Sequence, residues 1–206
     1  MTNELQQVEN GAGLWWSAFT ERLRGTAFDP SLLPSREQEF ATTLPSLAHC
    51  PGKLIVVDIA QQSLQLVVDG NVSISSVVST SKYGAGCRQN TGCTPLGWHR
   101  VIEKIGDDAA AGTIFKGRRV SGMAECLQST VADDLITSRI LWLDGLQQGF
   151  NRGGQVDSKD RYIYLHGTAQ EHLLGQPVSE GCVRLSNADV IALYDCVELN
   201  TPVFIS

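Results

Sequence analysis

The sequence predicts a mainly β fold with a few helices, preceded by a short helical N-terminal extension. Three observations carry that prediction. From Lys53 onward the chain is a succession of short β-branched and aliphatic runs, each closed by Gly, Pro, Asn or Asp. Helical periodicity is confined to residues before 50 and to one stretch near the C-terminus. A length of 206 residues with 42% hydrophobic content suits one well-buried domain with an appendage. The expected division is therefore a helical extension over 1–50 and one β-rich domain over 53–206.

In the extension, Leu14, Trp15, Ala18, Phe19 and Leu23 recur at helical spacing, which predicts a short amphipathic helix ending near Gly25. Asp29-Pro30 and Pro34 interrupt the chain. Ser35, followed by Arg36, Glu37, Gln38 and Glu39, reads as the capped start of a second helix running toward Leu47. The Trp15–Trp16 pair is expected to pack against the main domain rather than to form a sugar platform.

Lys53 to Ile59 and Ser63 to Val68 are strands by composition. Asp69-Gly70-Asn71 supplies a hairpin turn into Val72 to Thr80, where alternation implies one buried face, so the domain opens as a β-meander. Residues 81–97 hold Gly84, Gly86, Gly92, Pro95 and Gly97 and form a loop of functional length, from which Lys82, Tyr83 and Arg88 could line a cleft. Trp98 to Ile105 is the next strand. Gly112 to Met123 mixes β-branched residues with Lys116, Arg118 and Arg119, either a ligand-facing cationic hairpin or a solvated charged face. Leu135 to Leu143 is a core strand in which Arg139 must find a partner or point outward. A polar loop over 151–159 leads into the strand Arg161 to Leu165. Ser186-Asn187-Ala188-Asp189 caps a helix with Val190, Ile191, Leu193 and Tyr194 on its packing face and Cys196 buried, and Pro202 to Ile205 closes the chain as a strand.

The chemistry concentrates between Tyr162 and Ser186. His166 ends a strand-like run, and Ser179-Glu180-Gly181-Cys182-Val183-Arg184 follows. A cysteine attacks as thiolate, and an imidazole beside it can take the thiol proton at neutral pH and later return it. Cys182 is thus the candidate nucleophile and His166 the candidate base, against the plain alternative of a buried cysteine and an unrelated histidine. Gly167 and Gly181 permit close backbone approach and can leave N–H groups for a developing oxyanion. Arg184 shares the cysteine's face in an extended segment, where it can bind a carboxylate or hold the thiolate.

Composition excludes other classes. A net charge of -6 provides no basic field for nucleic acid or anionic membrane, so neither is an expected partner. No apolar run is long enough to span a bilayer and no lipidation motif is present. The start, M-T-N-E-L-Q-Q-V-E-N, lacks the features of a secretory signal, so a cytoplasmic location is expected, with a periplasmic one the alternative if a signal lies upstream. Six cysteines are then expected as thiols. Cys87, Cys93 and His99 lack structural zinc spacing, and neither metal nor cofactor is expected.

His166-Gly167-Thr168 with Ser179-x-Gly181-Cys182-Val183-Arg184-Leu185 resembles the signature of the YkuD-type L,D-transpeptidase domain. Thr94-Pro95-Leu96-Gly97-Trp98-His99 resembles a second segment of that family, and the opening meander and the helix-then-strand ending resemble its first and last elements. The resemblance covers roughly residues 53 to 206 and implies a YkuD-like β-sandwich/meander, with the 94–99 segment beneath a substrate cleft and the 112–123 hairpin as a flap over it. It implies a peptidyl-transfer enzyme in which Cys182 attacks the carbonyl before a terminal D-alanine of a peptidoglycan stem peptide. His166 would be acid and base, oriented by the Gly167 carbonyl, and the backbone around Gly181 and Cys182 would hold the oxyanion. Ser179, Arg184, Tyr83, Thr168 and Glu180 match or neighbour positions that shape the substrate site. Many members carry histidine where this chain has Glu180; an anion there would raise the thiol pKa unless Arg184 or a lysine pairs with it.

The implied acceptor is either water, which makes an L,D-carboxypeptidase acting on soluble muropeptides in recycling, or a second stem peptide, which makes a cross-linking L,D-transpeptidase. The visible N-terminus favours the first expectation. An inert muropeptide-binding protein is a third reading, opposed by the presence of both His166 and Cys182. A papain-like protease is disfavoured by the order of its residues.

Overall fold

A computed structural model describes residues 52–69, 71–123 and 134–206 of the chain. The expected helices before residue 50 lie outside the described residues. Ten strands are present among the described residues: β1 (Lys53–Asp58), β2 (Ser63–Val68), β3 (Asn71–Val77), β4 (Gly97–Ile105), β5 (Thr113–Lys116), β6 (Arg119–Met123), β7 (Ile136–Gly145), β8 (Tyr164–Thr168), β9 (Val183–Leu185) and β10 (Pro202–Ile205). One α-helix, α1 (Asn187–Cys196), and two short 3-10 turns complete them. The mainly β prediction and the order of elements agree with this architecture.

The strands form one mixed, branched sheet in the order β3-β2-β1-β10-β4-β7-β5-β6, with β8 attached to β7 and β9 to β8. The meander β1-β2-β3 is antiparallel, and β10 inserts parallel to β1. β3 is one outer strand of the sheet. Its inward positions are Ile74 and Ser76, while Val72 and Val77 stand about half exposed, so the alternation there covers only part of a buried face.

The branch point is β7. β4 pairs along its 140–145 half, β5 takes the 136–137 end, and β8 lies along its other edge. A register shift between Thr137 and Ile140 bulges the strand, with Ser138 at φ 63. That bulge turns Arg139 inward, as bulges re-aim side chains. The guanidinium is buried and donates to the Ala109 and Ser138 carbonyls while stacking over Tyr194, so Arg139 finds a partner rather than pointing out.

The main core draws on both limbs of the sheet and on α1, including Ile55, Leu66, Val101, Leu141, Leu165 and Leu193. Each fully buried side chain of this kind contributes about 1.5–3 kcal/mol. α1 is capped as its sequence predicts: Ser186 Oγ accepts from the Asp189 N–H at 3.0 Å. Val190, Leu193 and Tyr194 face the core and Ile191 is half-buried. Cys196 is exposed, contrary to expectation, because the helical turn carries position 196 off the stripe formed by Val190, Leu193 and Val197.

Candidate active site

β8 and β9 build the site. They are parallel neighbours in the register Leu165↔Val183, His166↔Arg184 and Gly167↔Leu185. Leu165, Val183 and Leu185 turn into the main core. By alternation His166, Arg184 and Cys182 share the opposite face. Cys182 sits two residues before Arg184, just ahead of β9, and packs in one cluster with Tyr164, which shares the His166 face of β8. The sixteen-residue gap of the sequence is closed by strand pairing.

His166 is buried, and its Nδ1 lies 2.8 Å from the Gly167 carbonyl. Burial pushes the imidazole pKa below its ordinary value, while Asp134 and the Gly167 carbonyl oppose that shift and Arg184 reinforces it. A neutral ring whose Nδ1–H is donated to a carbonyl presents its Nε2 lone pair as a base. Gly167 is required by close packing. A Cβ there would stand 2.7 Å from the Thr137 carbonyl and 2.9 Å from Asn187 Oδ1.

Cys182 is partly exposed, and its thiol donates to the Tyr162 carbonyl at 3.4 Å. Removal from water pushes the thiol up to about 12; the Tyr164 backbone N–H, Arg184 and Arg161 pull it down, while Asp134 adds to the rise. Both shifts favour the uncharged thiol and imidazole over a thiolate–imidazolium pair. Such a site activates sulfur by passing its proton to the imidazole as the nucleophile attacks.

Glu180 is exposed and pairs with Lys82 at 3.1 Å, a bond that raises the Lys82 pKa. The acid whose field reaches the thiol is Asp134. Asp134 forms a 2.7 Å ion pair with the buried Arg184, so the pull of Arg184 on the thiol is offset by the opposing push of Asp134. Arg184 also donates to Gln170 and to the Val178 carbonyl.

Ser179 and Thr168 are buried and frame the site from behind. Ser179 Oγ donates to the Cys182 carbonyl at 2.6 Å and accepts from the Gly181 N–H at 3.3 Å. Thr168 Oγ1 accepts from the Gln170 N–H, and the Thr168 carbonyl accepts from Asn187 Nδ2. Gly181 has φ 127, and a Cβ there would meet the Gly92 and Cys93 carbonyls at 3.3 and 3.4 Å, so the turn carrying Cys182 packs directly on the 81–97 loop. Tyr83 stands 57% exposed beside Lys82 at the mouth, whereas Arg88 is exposed on the loop surface. His99 is buried between the Gly97 carbonyl and Ser158. Among the described residues no group of His, Cys, Asp or Glu is placed to hold a metal ion.

Three contributors escape sequence reasoning. Arg161 reaches over to the 81–97 loop and donates to the carbonyls of Gly86, Cys87 and Cys93, fixing the loop against the site. Asp134 has no local signal; only the fold brings it to Arg184. Asn187 ties Thr137, Ser138, Thr168 and Glu171 together behind Gly167. Its N-terminal position on α1 was legible, its role as a node was not.

The family profile of YkuD, L,D-transpeptidase catalytic domain, matches residues 52–205. No curated protein sequence matches the chain. Among solved structures, the chain is similar to an L,D-transpeptidase from Mycobacterium smegmatis at 18% identity and TM-score 0.46, over 75% of this chain and 58% of that one. It is similar to L,D-transpeptidase 3 from Mycobacterium tuberculosis in complex with a faropenem-derived adduct at 18% identity and TM-score 0.44, over 76% and 60%. An L,D-transpeptidase from Xylanimonas cellulosilytica gives 20% identity and TM-score 0.45 over 80% and 69%. The chain spans less than two thirds of the length of the first two.

Proposed function

Starting from the fact that the chain belongs to the YkuD family of L,D-transpeptidase catalytic domains, we propose that it is a cysteine L,D-carboxypeptidase that releases the terminal D-alanine from peptidoglycan tetrapeptides in muropeptide recycling. The observation that carries the proposal is the buried His166, its Nδ1 2.8 Å from the Gly167 carbonyl, on a strand beside the segment that carries the Cys182 thiol.

In the proposed reaction Cys182 Sγ attacks the carbonyl between the third, L-centred residue and D-alanine. The S–C bond forms as the thiol proton passes to His166 Nε2. The oxyanion is received by the backbone N–H groups of Cys182 and Gly181, the latter turning from Ser179 Oγ. Such donors contribute a few kcal/mol (~3) to acyl transfer. His166 returns the proton to the departing D-alanine nitrogen as the C–N bond breaks, leaving a thioester. Water then gives a proton to Nε2 and attacks the thioester, and the departing sulfur recovers that proton from the imidazolium. Hydrolysis is the reading with the fewest requirements, since the base that serves acylation serves water without a second peptide being held.

Incubation with a soluble disaccharide tetrapeptide, followed by mass spectrometry, tests this. Loss of D-alanine without dimer supports hydrolysis. Dimer formation replaces it with L,D-transpeptidation, and tight binding without turnover replaces both with a muropeptide-binding role. Cys182→Ala is expected to abolish turnover with the fold intact; retained activity would remove Cys182 as nucleophile. The cytoplasmic setting belongs to the same proposal and is tested by fractionation of the native protein.

A further inference from the structure

Gly117 and Arg118 form the two-residue tip of the β5–β6 hairpin, where Lys116 pairs with Arg119. Both tip residues have positive φ, 56 and 64, as a type I′ turn requires. Glycine and asparagine suit that conformation, and an arginine pays for its Cβ there. A non-glycine residue kept in this region points to a role for its side chain.

The Arg118 side chain is held on three sides. Its Cζ lies 4.6 Å from the Trp142 ring centre and 5.2 Å from that of Tyr162, and Nη1 donates to Tyr164 Oη at 3.2 Å. Both tyrosines adjoin the thiol. The Tyr162 carbonyl accepts from Cys182 Sγ, and Tyr164 packs in one cluster with Trp142 and Cys182. Tyr162 is itself at φ 57 and half exposed. The hairpin tip thus places a guanidinium at the rim of the site.

The other cations around the thiol are already committed. Arg184 is paired with Asp134, Lys82 with Glu180, and Arg161 donates to three carbonyls. Among the described residues Arg118 makes no ion pair; Glu103 acts on it only at longer range. One of its five N–H donors is used. A guanidinium fixed by stacking, with an open fork, is suited to binding a carboxylate in two-point fashion.

We propose that Arg118 is the specificity-determining residue that binds a substrate carboxylate beside Cys182, a proposal that rests on the site being one for peptidyl transfer. Two carboxylates have this chemistry: the α-carboxylate of the leaving D-residue and the side-chain carboxylate of a diaminopimelate third residue.

The test measures calorimetric affinities on the Cys182→Ala protein, alone and with Arg118→Asn or Arg118→Lys added. Asparagine keeps the turn, and thermal unfolding checks that each variant folds. The probes are a tetrapeptide with lysine third and D-alanine last, its C-terminal amide, and the diaminopimelate counterpart. A charge-assisted contact predicts that the free acid binds about 10- to 100-fold tighter than the amide, or diaminopimelate about that much tighter than lysine, according to which carboxylate is held. Arg118→Asn is expected to reduce that preference to about 3-fold or less, with Arg118→Lys retaining part of it. A preference that survives Arg118→Asn, no preference in either comparison, or no binding of any probe overturns the proposal. If the protein with Cys182 intact releases no D-alanine while the preference still depends on Arg118, peptidyl transfer falls and carboxylate binding stands.

Discussion

Replacing Asp134 with asparagine leaves the buried Arg184 without its counter-charge. Arg184 Nη2 lies 2.7 Å from Asp134 Oδ2, with side-chain exposures of 4% and 25%. Arg184 Nε and Asp134 Oδ1 have no hydrogen-bond partner among the described residues, and the Gln170 and Val178 oxygens that Arg184 also meets carry no counter-charge. Breaking a buried pair from one side costs about 3–5 kcal/mol, and the partial exposure of Asp134 reduces this to about 2–4 kcal/mol. For a domain of this size that corresponds to a melting temperature lower by about 5–15 °C. Differential scanning calorimetry reads it. Arg184→Met added to Asp134→Asn is expected to recover about half or more, since a buried pair replaced by apolar packing is often neutral. A second effect separates electrostatics from folding. Asp134 holds both the Cys182 and His166 pKa values up, so Asp134→Asn lowers both and speeds alkylation of Cys182 by iodoacetamide at pH ~8, followed on the Cys182 peptide by mass. An unchanged melting temperature together with an unchanged alkylation rate would refute the argument.

Three further outcomes follow from the same geometry. Because burial moves the Cys182 thiol up to about 12 and His166 down, wild-type alkylation is expected to climb steadily from pH ~6 to ~10; a plateau near neutrality would instead reveal a thiolate–imidazolium pair. Gly167→Ala forces a Cβ to 2.7 Å from the Thr137 carbonyl, an overpacking cost of about 2–3 kcal/mol or more that lowers the urea midpoint; an unshifted midpoint contradicts the close packing. His99 is buried and its pKa falls from the ordinary 6.5 to about 4. The unfolded chain therefore binds that proton first as pH drops, and the stability present above pH 6.5 declines by about 3 kcal/mol down to pH ~4. His166 slopes the same way, so the measurement is the difference between wild type and His99→Asn in urea unfolding across that range, and parallel curves would sink the assignment.

Much of the fold is local and was legible. The short strands, Ser63–Val68 of the meander and the closing Pro202–Ile205 above all, are β-branched runs bounded by turn residues, and both the alternation and the turn chemistry act over a few residues. Ser186 as N-cap is equally local. Cys196 shows the limit of such reading. An apolar residue in the last turn of a helix is placed by the angle at which the helix meets the core, which its own sequence does not contain. Arg139 shows another: its inward turn depends on a bulge in β7, and that depends on β8 lying alongside.

The sequence by itself determined the order and kind of the elements, but it ended the strand of His166 at Leu165, whereas β8 runs Tyr164–Thr168 with His166 at its middle and Cys182 stands just before β9. Only the tertiary structure decided how those groups meet. Parallel pairing of β8 with β9 brings the segment that carries Cys182 beside the strand of His166, the fold pairs Glu180 with Lys82 and Arg184 with Asp134, and the β5–β6 hairpin carries Arg118 to the aromatic rings beside the thiol. The reason is physical: strand and turn propensities are properties of neighbouring residues, whereas a charge's partner and a thiol's pKa are set by through-space distance and loss of water.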